Sequence, residues 1–133
     1  MKILRYPKVY DQKKVGSYPT LVYSGGGLIY DEVLEYRVWL KDEDRQSRCH
    51  SFVTYNDAKR FIKNTPTAER EPVVLVLQKQ YIEDNKDGKY KLIDKERFTE
   101  WRIEWLKGSK RTPRLINAIL RKNGRIIHRH LPW

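Results

Sequence analysis

Glu71-Pro72 is followed by VVLVLQKQYI, residues Val73–Ile82, and the reading of this run decides the fold. Five β-prone apolar residues in a row, Val73–Leu77, predict a strand buried on both faces, the position of a strand in the middle of a sheet. Downstream, Asn85-Lys86-Asp87-Gly88 carries an Asp-Gly pair that tolerates positive φ, and KYKLI comes directly after it. Val73–Ile82 and Lys89–Ile93 are therefore expected to form a hairpin with an extended loop. Phe98–Leu106 alternates: Thr99, Trp101, Ile103 and Trp105 fall on one face and Glu100, Arg102 and Glu104 on the other, a period of two that predicts another strand.

Upstream, Leu34, Tyr36, Val38 and Leu40 alternate with Glu35, Arg37 and Trp39, a strand with one buried face and a second face carrying two charges and an indole. Thr20–Ser24 is a short expected strand, and Gly25-Gly26-Gly27 a turn, because three glycines lose too much backbone entropy to continue a regular element. Thr54 with Asp57 three residues on reads as a helix cap, and Ala58, Phe61 and Ile62 give the apolar face of a short helix ending near Asn64. Thr112-Pro113 opens a second helix that buries Leu115, Ile116, Ile119 and Leu120 and ends near Gly124. Lys41–Arg48 reads as an exposed loop. Two short helices among so many strands leave no room for alternating βαβ units; the expected fold is α+β, a single domain over residues 1–133 with a mainly antiparallel sheet.

The charge is unevenly placed. Of the net +11, residues 1–19 carry +4, residues 20–106 carry −1, and the helix and tail at 107–133 carry +8 with no acid. An acidic partner, nucleic acid or protein, is expected at that end. Lys107, Lys110, Arg111, Arg114, Arg121 and Arg125 are the candidate contacts, since phosphate neutralisation asks for a single-sign surface and little else. A solvated tail that aids solubility is the plainer alternative. The longest apolar stretch, Val73–Leu77, is far below the roughly 20 residues of a membrane span, and MKILRYPKVY has no apolar signal core. With a single cysteine, Cys49, there is no internal disulfide, and the expected setting is the cytoplasm.

Cys49, His50, His128 and His130 are too few and too poorly spaced for a metal centre, so no metal site is expected. The glycine run in YSGGGLIY is able to cradle a phosphate with its backbone amides, which makes Gly25, Gly26 and Gly27 candidate cofactor contacts, although the residues after it, LIYDEVLEYRVW, read as strand and lack the Lys-Ser/Thr of a P-loop.

GSYPTLVYSGGG, YDEVLEYRVW, FVTYNDAKRF, EPVVLVLQKQYI and RFTEWRIEWL together resemble a small bacterial family often labelled GCN5-related N-acetyltransferase-like, over about residues 16–112. That resemblance implies acetyl-CoA as the donor. The pyrophosphate-binding turn of such enzymes has its nearest counterpart here in Arg121-Lys-Asn-Gly124-Arg-Ile126, which has isoleucine in the last glycine or alanine place and comes after a helix.

The order of residues is similar to that of ADP-ribosyltransferase folds: a strand with Arg37, then Ser51-Phe52-Val53-Thr54 entering a helix, then VVLVL, then a late strand with Glu100. This resemblance implies a transferase that binds NAD, with Arg37, Ser51 and Thr54 holding the nucleotide and Glu100 catalytic. A carboxylate there stabilises the oxocarbenium-like charge that develops as nicotinamide leaves. The first expectation is thus a transferase-like domain that binds a nucleotide-containing donor, NAD before acetyl-CoA, with a noncatalytic nucleic-acid-binding module as the third reading. Arg37 and Glu100 are equally what a cross-strand ion pair on a solvent-facing sheet surface would use.

Overall fold

The computed structural model describes residues 6–19, 25–41, 48–84 and 88–121. Strands β1 (Glu32–Leu40), β2 (Arg48–Phe52), β3 (Val73–Gln78) and β6 (Arg97–Arg102) form one antiparallel sheet in the order β2-β1-β3-β6, while among the described residues β4 (Tyr81–Asp84) and β5 (Tyr90–Ile93) form a separate two-stranded sheet. Helices α1 (Tyr55–Lys63) and α2 (Pro113–Arg121) complete a mixed α+β domain. The apolar run decided the fold as expected: β3 lies inside the sheet between β1 and β6, with Val74 and Val76 fully buried on one face and Leu75 on the other.

Where the chain leaves β3 the expected hairpin is corrected. The strand stops at Gln78, because the Lys79 amide donates to Asp31 Oδ2 at 2.6 Å instead of continuing the ladder. The hairpin is β4 with β5, in register Tyr81↔Ile93 and Asp84↔Tyr90. The expected strand over Phe98–Leu106 is likewise shorter: β6 ends at Arg102 and Ile103–Leu106 turns as a 3-10 helix that buries Ile103 and Leu106. The expected strand Thr20–Ser24, most of the loop Lys41–Arg48, the tip Asn85–Asp87 and the chain beyond Arg121 lie outside the described residues.

Helix α1 begins where Thr54 Oγ accepts the Asp57 amide at 3.1 Å, a cap that contributes about 1 kcal/mol. It lays Ala58 against Tyr36 and Val38, and Phe61 against Phe52 and His50. Helix α2 starts at Thr112, whose Oγ accepts the Leu115 amide at 3.0 Å. Its apolar face, Leu115, Ile116, Ile119 and Leu120, covers Leu28, Ile29, Ile82 and Tyr90, a second core beside the main one. No described helix is long and apolar enough to cross a membrane.

The sheet has no wet face at its centre. On the side away from α1, residues Gly16–Pro19 lie over β1 and β6: the Gly16 amide donates to Glu35 Oε1 at 2.9 Å, Arg37 Nη2 donates to the Pro19 carbonyl at 2.6 Å, and Tyr18 meets Phe98 edge-on. This overturns the solvent-facing surface expected for Arg37 and Glu100. Period two identifies two faces but does not say what covers the polar one.

Candidate functional site

Three of the residues expected to act together do converge, and they do so in the interior. Glu35, Arg37 and Trp39 project from the face of β1 away from α1, Cys49 and Ser51 from β2, and Glu100 from β6. Arg37 is 0% exposed, Glu35 1% and Glu100 7%. The guanidinium is fully directed: Nε donates to Glu35 Oε2 at 2.6 Å, Nη1 to Glu100 Oε2 at 3.2 Å and Nη2 to Pro19. Ser51 Oγ donates to Glu35 Oε2 at 2.6 Å, and the Trp39 indole donates to both Glu100 oxygens at 3.0 Å. Burial pushes the Glu100 carboxyl above its ordinary value, against the opposing hydrogen bonds from Trp39 and Arg37. Burial likewise raises the Cys49 thiol, which keeps it in the less nucleophilic form. Glu35 and Trp39 are the members that sequence reasoning did not place in this cluster; the strand period already put them on the same face as Arg37.

Thr54 does not join them. Its hydroxyl oxygen is engaged in capping α1.

The glycine turn lies on the opposite face of the sheet from Glu100. Trp101 and Gln78, both on the α1 side, hold it from below: Trp101 Nε1 donates to the Gly25 and Gly26 carbonyls at 3.1 and 2.9 Å, and Gln78 Nε2 to Gly26 at 2.9 Å. Gly27, at φ +74°, accepts from the Ile29 and Ile82 amides and is followed by Leu28 at φ 66°. Two successive left-handed residues, the second one a leucine, are a local strain of the kind that clusters at ligand sites.

Gly26 and Gly27 line an open pocket of about 230 Å³ with Tyr81, Glu83, Asp84 and Arg97 on its walls. Arg97 is held in one place. Its guanidinium stacks on the Tyr81 ring at 3.7 Å and its Nε donates to Gln78 Oε1 at 2.7 Å, while Thr99 Oγ fixes that same oxygen at 2.7 Å. A Cβ on Gly27 would stand 2.7 Å from Arg97 Nη2, so only glycine permits this approach. Among the described residues no carboxylate lies within ion-pair distance of Arg97. Burial lowers the guanidinium from its ordinary value, against the opposing influence of Tyr81 and the Glu83 charge. Arg97 and Tyr81 were invisible to the sequence reading, since nothing local links them to Gly27.

The basic residues divide. Arg111 binds Asp31 and Gln80, and Lys110 donates to the Asp31 carbonyl and stands 3.9 Å from Glu32, so these two serve the fold. Lys107, Arg114 and Arg121 are exposed, the last two on the solvent side of α2. Arg125 lies outside the described residues. Compared with protein-family models, curated proteins and solved structures, the chain has no match.

Proposed function

We propose that this chain is a binding domain for a nucleotide-type small molecule, whose phosphate enters the pocket between Gly26-Gly27 and Arg97. The observation that carries the reading is the guanidinium of Arg97, fixed by Tyr81 and Gln78 in an open pocket with no carboxylate within ion-pair distance among the described residues. Such a group offers paired N–H donors in the geometry that phosphate oxygens accept. The amides of Gly26 and Gly27, without hydrogen-bond partners among the described residues, are further donors beside it.

Glu100 has no part in this reading. It sits on the other side of the sheet, in an ion-pair network closed over by Gly16–Pro19.

The test is thermal denaturation of the full chain with a nucleoside monophosphate and with the matching nucleoside. The phosphorylated ligand should raise Tm and the nucleoside should not, because only a ligand held by the folded state stabilises it. Arg97→Gln should abolish the shift; equal shifts by both ligands would sink the reading.

A second reading rests on α2. Arg114 and Arg121 are exposed opposite an apolar face that is fully used in packing, and Lys107 is exposed nearby in the chain. Sequence-independent binding of nucleic acid fits such a surface. A gel shift at low salt that Arg114→Ala with Arg121→Ala weakens supports it, and no retardation of the intact chain excludes it.

A further inference from the structure

We propose that the pocket at the glycine turn selects a single phosphate carried on a polyol, the sugar-phosphate class, and disfavours a pyrophosphate; this rests on the phosphate reading given above. Three observations carry it. The first is size. At about 230 Å³ the open pocket is below the roughly 300–1,000 Å³ of sites that enclose drug-sized ligands, so it has room for a phosphorylated sugar while most of a dinucleotide would lie outside it.

The second is charge. The described lining carries one guanidinium, Arg97, and the carboxylate of Glu83, whose charge acts on it. One phosphate is matched to Arg97 and the two glycine amides. A second phosphate has no further cation among the described lining residues and must approach the Glu83 carboxylate, well inside a screening length of about 8 Å. Lys91, which stands opposite Glu83 in the ladder, is exposed and does not line the pocket.

The third is complementarity of the opposite sign. Glu83 follows Tyr81 at the strand period of two, so it lies on the face of the hairpin that carries the Arg97 stack. An ionised carboxylate only accepts hydrogen bonds, and the ligand group that fits it next to a bound phosphate is a hydroxyl. A guanidinium and glycine amides with the Glu83 acceptor in the same pocket describe a ligand with an anionic end and a hydroxyl-bearing body.

Titration calorimetry of the full chain with inorganic phosphate, pyrophosphate, ribose and ribose 5-phosphate tests this. Ribose 5-phosphate should bind about tenfold more tightly than inorganic phosphate, the gain expected of one hydrogen bond to a charged group. Ribose alone should not bind detectably, and pyrophosphate should bind no more tightly than phosphate. Glu83→Gln, at an exposed position, should bring ribose 5-phosphate to the phosphate level without weakening phosphate itself, whereas Arg97→Gln should lose both. Pyrophosphate binding more tightly than ribose 5-phosphate, or ribose 5-phosphate no better than phosphate, overturns the selectivity and leaves the phosphate site standing. Failure of every anion to bind overturns the phosphate reading itself.

Discussion

Glu35 and Glu100 flank Leu75 in one cross-strand row, and Arg37 closes the gap between them by binding Glu35 at 2.6 Å and Glu100 at 3.2 Å. Two buried carboxylates thus share one buried guanidinium. The remaining oxygen valences are taken by Ser51, Trp39 and the Gly16 amide, and this satisfaction is what makes the arrangement tolerable in a low-dielectric interior.

Removing the cation should therefore be severe. Arg37→Met keeps the stem but leaves two carboxylates uncompensated, and the expected loss is about 3–5 kcal/mol in chemical denaturation. A loss below about 1 kcal/mol would mean that the carboxylates find water or protons at no cost, contrary to their burial.

Glu100 makes a pH prediction with a definite sign. Its carboxyl is raised in the folded state above the ordinary 4.5, first by burial, so the folded chain holds that proton more tightly than the unfolded chain does. The ionised group costs stability at neutral pH, and the cost is recovered as pH falls from neutrality through the raised folded value toward 4.5. Glu100→Gln removes this contribution. Compared with the variant, the parent should gain stability on mild acidification; parallel stability profiles would show that Glu100 has no raised value.

Gly27→Ala should damage both fold and pocket. The new methyl would meet Gln78 Nε2 at 2.6 Å and Arg97 Nη2 at 2.7 Å, at a backbone φ of +74°. A loss of about 1–3 kcal/mol is expected, with phosphate binding weakened because Arg97 must move. Gly25→Ala, where a Cβ meets nothing within 4 Å, is the control that should change neither.

Arg111 and Arg114 separate folding from surface charge. Arg111→Ala leaves the buried Asp31 carboxylate with only the Lys79 amide, and should cost about 1.5–3 kcal/mol in thermal or chemical denaturation. Arg114→Ala should leave stability within about 0.5 kcal/mol. Equal effects would show that the Asp31 contact is not a brace.

The sequence was most legible where local physics dominates. Val73–Leu77 announced an interior strand, Thr54 and Thr112 announced helix starts, and the spacing in Leu115–Leu120 announced a packed helix face. It was least legible where the partner is distant in the chain. The break after Gln78 depends on Asp31, and the burial of Glu100 on Gly16–Pro19. Arg97 owes its position to Gly27 and Tyr81. The alternation through Phe98–Leu106 carried on past the true end of β6, because the 3-10 turn also buries Ile103. Of the expected site, Arg37, Ser51 and Glu100 proved to be neighbours, while the glycine turn belongs to the other side of the sheet.

The covering segment Gly16–Pro19 also bears on the sequence of events in folding. The hairpin of β1 with β2 is local, β3 and β6 pair across the shorter span from Gln78 to Arg97, and β1 reaches β3 across the longest, from Glu32 to Leu77, so that last pairing is the costliest loop closure. Arg37 cannot complete its pairing before β6 supplies Glu100, and its third donor then ties down Pro19. The earliest part of the chain is thus expected to settle last, and slow hydrogen exchange at the Gly16 amide, bound to Glu35, would serve as the clock for arrival of the final strand.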